Sequence, residues 1–413
     1  MHQSESEKCQ IAFLHNLVKI LVLPLLISGG GIAGLTLANR LHRHGIEPVV
    51  IEQAADLCQD SYALDFFGTG CEVAERMGLV DRLFSQHIAF DGIEYVNARG
   101  MLIAKLDASL LRKITEGKYL ALMRWSLEEV LYEVLEGNVE VRFGRRLTAV
   151  EPGPDAVGVT FNDGTSESFD LLIGADGVHS ATRALAFGPD EQFSRSLGYT
   201  IACYPLADRY GIGSTCKMHV EPGRLGATYC ASQAGQLLTF FLYRSAQSSP
   251  PPREQRLAHL REVFAGMGWI TKLLLADAPA AAAVFMDALD QIQAPTRPRG
   301  RVALIGDACG CPTLLSGQGA SLAMAGAYLL AEALHEASSY QEAFAWYEQQ
   351  MRPLVQAQQS RPAASPPSSC PARLWACSSN KRRVLFRETF RGLLRREFSG
   401  PSLAALHRSR TTV

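Results

Sequence analysis

A cluster of closely spaced glycines near the start of the chain has the pattern of a dinucleotide site. Gly29, Gly31 and Gly34 fit the spacing GxGxxG, and Ala33 lies within the same turn. The first glycine permits a tight turn, the second lets the backbone approach a pyrophosphate, and the third lets a helix pack against a strand. The helix start adds amide donors. Glu52 ends the following predicted strand, at the position where an acidic side chain accepts hydrogen bonds from a ribose hydroxyl. An acid at this position argues against a cofactor with a 2′-phosphate. The motif does not distinguish NAD from FAD.

Two further motifs place an aspartate beside a glycine directly after a short apolar run. Asp176 and Gly177 follow the first run, and Asp307 follows the second. Such runs are typical of buried parallel strands, whose carboxyl ends form the ligand-binding edge of an α/β sheet. A glycine-rich helix start after Asp307 offers a second place for an anion. Its residues are Gly317, Gly319 and Ala320.

The elements that must position these residues predict parallel α/β structure at both ends of the chain. Residues 21–53 predict strand, glycine turn, helix and strand, which is a βαβ unit. Residues 71–84 and 319–336 predict helices, and Asn162–Gly164 predicts a hairpin turn. Residues 197–244 are rich in strand-like runs. The pattern therefore predicts a discontinuous nucleotide-binding domain with a second, β-rich domain inserted in it.

The apolar stretch 11–26 admits three interpretations. A membrane-spanning helix needs about 20 unbroken apolar residues, and His15, Asn16, Lys19 and Pro24 interrupt this stretch. A signal peptide would be cleaved near the glycine cluster and would destroy it. We therefore predict an irregular leader followed by a buried first strand, with no integral membrane segment.

The three motifs in this order resemble the fingerprints of the group A flavoprotein monooxygenases, the para-hydroxybenzoate hydroxylase-like family, which are GxGxxG, a DG motif and a GD motif. The resemblance covers residues from about 21 to 350. The segments 62–68 (YALDFFG) and 124–127 (RWSL) are similar to segments of the tetracycline-inactivating and antibiotic-tailoring branch. Any one motif arises by chance, whereas the ordered trio very rarely does.

Together with the order of the predicted strands and helices, the resemblance implies an α/β fold. It comprises a discontinuous, Rossmann-like FAD-binding domain, an inserted substrate domain rich in β-sheet, and a C-terminal helical tail. The predicted boundaries are 1–20 for the leader, 21–84, 118–196 and 291–360 for the FAD-binding domain, 85–117 and 197–290 for the substrate domain, and 361–413 for a basic linker and amphipathic helix. The expected partners are a small-molecule substrate and NAD(P)H, and the expected assembly is a monomer or a homodimer.

The resemblance also assigns roles to single residues. The glycines of the first motif would bind the FAD pyrophosphate, and Glu52 would bind the adenosine ribose. Asp307 would contact the ribityl or ribose hydroxyls, and Asp65 and Arg124 match family positions that contact FAD. The DG motif would serve both FAD and the nicotinamide nucleotide. The glycine-rich helix start would lie near the isoalloxazine ring.

The reaction that the resemblance implies is carried by the flavin. NAD(P)H would reduce FAD, and dioxygen would then form a flavin C4a-hydroperoxide. Its distal oxygen would hydroxylate or epoxidise a small aromatic, polyketide-like or unsaturated metabolite while the protein excludes water. This chemistry needs no triad and no metal, so we predict no catalytic side chain and no metal ligand. The sequence does not identify a substrate-activating base in the β-rich middle.

Other functions stay open beside this one. The loop 54–61 lacks the arginine that the family uses for nicotinamide binding, so a flavin-binding protein with impaired turnover is one alternative. An FAD-dependent reductase or a halogenase of the same superfamily is another, although Trp125 and Trp269 lack the partner of a halogenase WxWxI segment. A simple NAD dehydrogenase would leave the motif at Asp307 unexplained.

Several of these side chains also have ordinary structural interpretations. Asp65 fits a turn residue, Arg124 fits a helix cap or a surface ion pair, and Asp176 fits a residue that holds its own turn. His179 belongs to a predicted exposed turn, which does not favour a catalytic role. The residues expected to pack rather than to act are Phe66, Phe67, Trp125, Cys309 and Cys311.

The composition separates a body from a tail. With 40 Lys+Arg and 41 Asp+Glu, the net charge of -1 gives no support for a nucleic-acid binder. Residues 361–413 nevertheless carry eleven Lys+Arg and two Asp+Glu, so the rest of the chain is acidic. Docking of this tail on the body, a reading-frame change over about 361–380 and peripheral contact with an anionic membrane are the open interpretations. Ten cysteines without a CxxC pair favour a reducing cytoplasm.

Overall fold

A computed structural model describes most of the chain between residues 24 and 360. The described ranges are 24–57, 62–88, 90–230, 235–247, 249–294, 298–312 and 317–360. The predicted leader at 1–20 and the predicted tail at 361–413 lie outside the described residues. None of the described helices is long and apolar enough to cross a membrane.

Strands and helices both contribute heavily to the described ranges. The strands are β1 (Leu25–Ser28), β2 (Pro48–Glu52), β3 (Ala63–Phe67), β4 (Gly92–Val96), β5 (Leu102–Asp107), β6 (Tyr119–Met123), β7 (Glu140–Phe143), β8 (Leu147–Pro152), β9 (Val157–Phe161), β10 (Ser166–Phe169), β11 (Leu171–Gly174), β12 (Ser194–Ala207), β13 (Thr215–Glu221), β14 (Arg224–Cys230), β15 (Gln236–Arg244), β16 (Phe285–Ile292) and β17 (Val302–Leu304). The helices are α1 (Ile32–Arg43), α2 (Thr69–Met77), α3 (Val80–Ser85), α4 (Ala108–Ile114), α5 (Arg124–Glu133), α6 (Ala181–Ala186), α7 (Arg256–Val263), α8 (Thr271–Ala276), α9 (Asp307–Gly310), α10 (Gly319–Glu336) and α11 (Tyr340–Gln359).

A five-stranded parallel sheet carries the three motifs. Its order is β17-β11-β1-β2-β7, and each neighbouring pair is parallel. Ser28 at the end of β1 is level with Gly174 of β11 and Ile51 of β2. The carboxyl ends of these strands therefore meet at one edge, which brings the glycine turn, Glu52 and the DG motif together.

Strands β17, β11 and β1 of the parallel sheet are fully buried, which explains why they are continuous apolar runs. Leu25 and Ile27 pack into a core that includes α1 and α10. Leu26 points to the opposite face and packs against Val157 and Phe161. These two residues belong to a three-stranded antiparallel sheet with the order β10-β9-β8.

A second large sheet has seven strands in the order β16-β12-β15-β14-β13-β4-β5. Successive side chains of a strand point to opposite faces, and β12 shows which partner each face has. Tyr204 packs with Leu274 of α8 in one apolar cluster. Cys203 joins a different cluster, which includes Phe67 of β3 and Tyr119 of β6. Helices therefore cover one face of this sheet, and β3 and β6 face the other.

Strands β3 and β6 form a two-stranded antiparallel ribbon between the two large sheets. It pairs Asp65 with Ala121 and Phe67 with Tyr119. Phe66 points into the core of the parallel sheet, while Phe67 points toward the seven-stranded sheet. Because side chains alternate along a strand, Asp65 points to the same side as Phe67.

Most of the predicted elements are confirmed, and one is wrong in a way that has a clear physical cause. The βαβ unit forms from β1, α1 and β2, the helix at 319–336 has the predicted bounds, and Asn162–Gly164 joins β9 to β10. The helix predicted at 71–84 is instead split into α2 and α3. Gly78 adopts a left-handed conformation with φ of 72° and caps α2, because glycine has no Cβ to oppose it.

Candidate functional site

The glycine turn after β1 is packed so closely that side chains are excluded at two positions. Gly29 has φ of 118°, and its amide donates to the Ile51 carbonyl at 2.8 Å. A Cβ on Gly29 would overlap the backbone of Ala175, and a Cβ on Gly34 would overlap the carbonyl oxygen of Gly29. The turn therefore exposes backbone N–H groups at the start of α1, where a phosphate is stabilised. This cradle fits the pyrophosphate of a dinucleotide.

Glu52 is fixed beside the turn by the backbone itself. Its Oε2 accepts from the Gly30 amide at 2.8 Å, and its Oε1 accepts from the Ala54 amide at 2.9 Å. Two charge-assisted hydrogen bonds hold the half-buried carboxylate at the end of β2. The remaining lone pairs of both oxygens can accept from a ribose hydroxyl.

The DG motif uses its carboxylate to order its own turn. Asp176 accepts from the amide of Thr182 at 2.8 Å and from its hydroxyl at 2.9 Å, and it also accepts from the Ser180 hydroxyl. Ser180 in turn caps α6 by accepting from the Arg183 amide at 2.9 Å. Gly177 has φ of 78°, which a glycine adopts without strain. These contacts support the structural interpretation of Asp176.

A buried arginine connects the DG motif to the GD motif. The Arg183 side chain has no exposed surface, and it donates to the carbonyls of Val178 at 2.6 Å and Ala308 at 3.0 Å. It also forms an ion pair with Asp190 at 2.9 Å. A five-donor guanidinium can satisfy carbonyls from separate loops at the same time. This role of Arg183 could not be predicted from the sequence, because nothing in its spacing distinguishes a buried arginine from an exposed one.

Arg124 lies where residues distant in sequence converge. Its Nη2 lies 3.1 Å from Glu128 Oε1, one helical turn along α5. Its guanidinium carbon lies 5.9 Å from the centre of the Tyr62 ring. A Cβ on Gly31 would lie 3.7 Å from Arg124 Nη2, so the second glycine of the turn adjoins this side chain. Burial raises the pKa of Asp307, and the charge of Arg124 opposes that rise.

Tyr62 belongs to the same group and was not predicted from its type. Burial raises the pKa of Tyr62 to about 12, and the positive charge of Arg124 opposes this while Asp307 adds to it. The Arg124 amide donates to the Tyr62 carbonyl at 3.1 Å. For the ion pair of Arg124 with Glu128 the sequence does contain a signal, because their i, i+4 spacing is typical of an ion pair on one helix face.

The GD motif and the helix start after it lie side by side. Asp307 begins α9 and is half-buried, and its Oδ1 would lie 3.9 Å from a Cβ on Gly319. Gly317 has φ of 62°, and Ala320 is half-buried in the first turn of α10. A cleft of about 400 Å³ reaches Asp307 and Gly319 from the side of α11.

Asp65 has different neighbours from Arg124. Tyr119 donates its hydroxyl to Asp65 Oδ1 at 2.6 Å. Burial raises the pKa of Asp65 although the residue keeps accessible surface, and the hydrogen bond from Tyr119 opposes this rise. Its charge raises the pKa values of Cys216 and Tyr229, which belong to the seven-stranded sheet. Asp65 is therefore at the boundary with that sheet.

The comparisons with known proteins agree on one family. The family model described as "FAD binding domain" matches residues 23–361. The chain belongs to the FAD-dependent monooxygenases. A flavin-dependent monooxygenase from an unknown prokaryotic organism is 32% identical over 338 residues, which cover 81% of this chain and 87% of that protein. One from Legionella longbeachae is 29% identical over 338 residues and covers 81% and 86%, respectively. The predicted family and enzyme class are thus confirmed.

Solved structures extend the similarity to the whole fold. The tetracycline destructase Tet(55) aligns with a TM-score of 0.78 at 26% identity, over 93% of this chain and 98% of that chain. Klebsiella pneumoniae HpxO, complexed with FAD and uric acid, aligns with a TM-score of 0.71 at 25% identity, over 92% and 97%. The predicted α/β fold of an FAD-binding domain with a β-rich substrate domain is confirmed for the described residues.

The other residues singled out in this monooxygenase lie away from the glycine turn or inside the packing. His179 is exposed, and its Nε2 lies 3.3 Å from Asp287 Oδ1. Cys311 is buried, and burial raises the pKa of the half-buried Cys309 to about 12. Among the residues that the structure describes, no group of three His, Cys, Asp or Glu could hold a metal ion.

Proposed function

We propose that this protein uses NAD(P)H and dioxygen to hydroxylate or epoxidise a small aromatic, polyketide-like or unsaturated metabolite. The observation that carries the proposal is the convergence of Gly31, Arg124 and Asp307 at the edge of the parallel sheet, next to an aromatic-lined sheet face. The flavin of this family, when bound and reduced, supplies the activation of dioxygen. The side chains of this protein have to bind it, orient the substrate and exclude water.

The residues that would hold FAD follow from the geometry of the edge. We propose that the amides after Gly29, together with Gly31, Ala33 and Gly34, bind the pyrophosphate, and that Glu52 accepts from the adenosine ribose. Further along the edge, the proposed contacts come from Arg124, Asp307, Gly317, Gly319 and Ala320. Gly177 and Asp176 would shape the adjoining turn. Asp65 stays a predicted FAD contact.

The substrate would bind between the ribbon and the seven-stranded sheet. Half-buried aromatic side chains from several elements pack around this face, and they are Tyr62, Phe90, Tyr229, Phe240 and Phe285. Flat apolar walls favour an aromatic or conjugated ring system. They also keep water away from the reacting atoms, which prevents loss of the oxygen atom to solvent.

Purification of the full chain and oxidation of NAD(P)H test this proposal. The protein should be yellow, and its NAD(P)H consumption should rise when a substrate from a panel of phenols, polyketides and alkenes is present. Oxygen-18 from labelled dioxygen should appear in the product, which separates oxygenation from the reductase alternative. Colourless protein that cannot be reconstituted with FAD would contradict the proposal.

A flavin-binding protein with impaired turnover is a second candidate. The observation that favours it is the segment Ala54–Leu57, together with the residues up to 61, which contains no arginine for a nicotinamide nucleotide. Anaerobic mixing of the holoprotein with NADH and with NADPH, with and without substrate, separates the two candidates. Bleaching of the flavin spectrum supports the monooxygenase, and an unchanged spectrum in all mixtures supports the second candidate.

Four broader expectations are part of the same proposal. The domain division at 21–84, 118–196 and 291–360 against 85–117 and 197–290 is supported by the two large sheets. A cytoplasmic location is supported by the cysteines of the described residues, none of which forms a disulfide. A role in secondary metabolism or antibiotic modification is supported by the similarity to a tetracycline destructase. The oligomeric state is expected to be a monomer or a homodimer.

A further inference from the structure

The side of the ribbon that faces the seven-stranded sheet carries one carboxylate among apolar groups. Asp65 and Phe67 point to this side from β3, and Tyr119 points to it from β6. Tyr119 is only 4% exposed, whereas Asp65 is exposed. The Tyr119 hydroxyl binds Oδ1 of Asp65. Oδ2 accepts no hydrogen bond from the part of the chain that the structure describes, so it is available to a ligand.

The groups around this carboxylate are neutral at ordinary pH. The titratable groups that interact with Asp65 are Tyr119 from β6, Cys216 from β13 and Tyr229 from β14. Burial keeps the pKa values of both tyrosines and of the Cys216 thiol well above their ordinary values, so these groups stay protonated. Arg112 approaches from α4 and acts on Tyr119. Asp65 and the Arg112 guanidinium are therefore the formal charges among the residues named here, and Arg112 acts on Tyr119 rather than on Asp65 itself.

The walls next to Asp65 are aromatic. The rings of Tyr229 and Phe240 lie 6.4 Å apart on the seven-stranded sheet, and the rings of Phe90 and Tyr119 lie 6.1 Å apart. A planar ring held against such walls would bring its substituents to Asp65. Because a carboxylate accepts hydrogen bonds and does not donate them, it selects a substituent that carries a proton.

We propose that Asp65, oriented by Tyr119, accepts the hydroxyl proton of a phenol or enol substrate. This assignment deepens the proposed function and rests on it. In the step, the substrate O–H bond breaks and the proton moves to Oδ2 of Asp65. The electron pair of that bond stays on the substrate oxygen and delocalises onto the ring carbon, which becomes a better nucleophile for the oxygen atom derived from dioxygen. Asp65 later releases the proton to water.

The surroundings suit a base of this kind. A carboxylate in water is far weaker as a base than a phenolate, and proton transfer improves as the two pKa values approach each other. Burial raises the pKa of Asp65 toward that of a phenol, and the hydrogen bond from Tyr119 opposes the rise. Tyr119 acts through Asp65 and is a positioning residue.

The test compares a phenol with its methyl ether in the FAD-loaded full chain. The probes are the substrate panel above with each phenol paired with its O-methyl ether, beginning with 2-naphthol and 2-methoxynaphthalene. Asp65→Asn should lower kcat for the phenols by about 100-fold, the range of general base catalysis. It should lower kcat for the ethers much less than kcat for the phenols, because the ethers have no proton to remove. The exposed Asp155→Asn should change neither rate.

The outcomes separate this inference from the proposed function. Equal losses of kcat for phenols and ethers in Asp65→Asn would overturn the inference, and so would a wild-type enzyme that oxygenates ethers as fast as phenols. Either result leaves the proposed function in place. Failure of the wild-type protein to bind FAD or to form any oxygenated product would contradict the proposed function itself.

Tyr119→Phe keeps the inference testable if Asp65→Asn loses FAD. Removal of the hydrogen bond should raise the pKa of Asp65, so the acidic limb of the kcat profile for the phenol should move to higher pH. The flavin spectrum should be unchanged, because the ring of residue 119 and its packing remain. An acidic limb at the wild-type position, with kcat unchanged, would overturn the inference.

Discussion

The carboxyl edge of the parallel sheet and the inner face of the seven-stranded sheet would contribute to the proposed active site in different ways. At the edge, Gly29 and Gly34 lie close to backbone atoms of neighbouring residues, and Glu52 accepts a hydrogen bond from a backbone amide. On the inner face, the contacts of Tyr229 and Phe240 are made by side-chain rings. The edge is dense in sequence motifs, and the face carries none.

The difference follows from what each region has to recognise. A pyrophosphate is bound by N–H groups, so the chain has to come close to it, and only glycine at fixed spacings allows that approach. A substrate ring is bound by shape and apolar area, which many combinations of side chains provide. Substitutions at the edge should therefore affect the holoenzyme itself, and substitutions on the face should affect substrate preference.

Gly34→Ala should cause the largest loss. Alanine favours a helix more than glycine does, but its Cβ in α1 would overlap the carbonyl oxygen of Gly29. Relief of this overlap has to displace the turn at Gly29 from the position that suits a pyrophosphate, and we expect an FAD affinity about 100-fold weaker, which corresponds to about 3 kcal/mol. Titration of apoprotein with FAD, followed by fluorescence quenching, measures this.

The matched control for that substitution is Gly158→Ala in β9. A Cβ there would lie 3.6 Å from the Glu151 Cβ, which is ordinary contact. We expect a change within about 0.5 kcal/mol in the free energy of unfolding and no change in FAD affinity. Equal FAD affinities of the Gly34 and Gly158 variants would show that the edge tolerates side chains, contrary to the comparison.

Glu52→Gln should have the second largest effect at the edge. The carboxylate accepts from two backbone amides, whereas a glutamine amide has one acceptor oxygen and would turn its NH₂ toward the other N–H. The variant also has no carboxylate to accept from the ribose hydroxyl, and the loss of that charge-assisted hydrogen bond costs about 2 kcal/mol, or about 30-fold in FAD affinity. The same FAD titration measures it, with the exposed Glu47→Gln of the same βαβ unit as the control. Equal affinities of the two variants would contradict the role of Glu52.

Adjacent phenylalanines of β15 test the inner face against the outer face of one strand. Phe240 is half-buried beside Tyr229, while Phe241 has no exposed surface and lies 5.0 Å from the Phe264 ring on the opposite side. Phe240→Leu should raise KM for an aromatic substrate about tenfold and leave FAD affinity unchanged. Phe241→Leu should lower the free energy of unfolding by about 1 kcal/mol and leave KM unchanged. If instead Phe241→Leu raised KM and Phe240→Leu lowered only the free energy of unfolding, the substrate would have to bind on the other side of the sheet.

The same contrast explains what could be predicted from the sequence. The βαβ unit, its glycines and Glu52 follow from spacing, because backbone recognition restricts residue type at each position. The ribbon could not be predicted, since Asp65 and Tyr119 belong to short strands far apart in sequence that pair only in the folded chain. Neither strand has a turn or a periodic pattern long enough to indicate its partner.

The residues that meet at Arg124 show more clearly what could not be predicted from the sequence. Family resemblance assigned Arg124 and Asp307 to FAD, but no spacing between them indicates that they approach each other. Arg183 was missed because its burial depends on three loops that meet only in the fold. The break at Gly78 was missed because a single glycine inside an apolar helical pattern ends a helix in one context and is tolerated in another.

The smallest expected effect concerns an exposed contact that joins the two regions. His179 follows β11 of the parallel sheet, and its Nε2 lies 3.3 Å from Asp287 of β16 in the seven-stranded sheet. The hydrogen bond to Asp287 raises the pKa of His179, and Asp190 and Asp290 act in the same direction. A raised pKa in the folded state means that the pair stabilises the fold below the ordinary histidine pKa. The contribution is lost as pH rises through the raised value.

His179→Gln should therefore lower the free energy of unfolding near pH 5 and leave it unchanged near pH 9, in urea titrations of the holoenzyme. Because the imidazole is 70% exposed, solvent screening limits the difference to about 0.5 kcal/mol. Arg209→Gln, which removes the exposed contact with Asp277 at 3.9 Å, is the control, since arginine does not titrate in this range. A pH-independent effect of His179→Gln would mean that the imidazole contributes by packing alone.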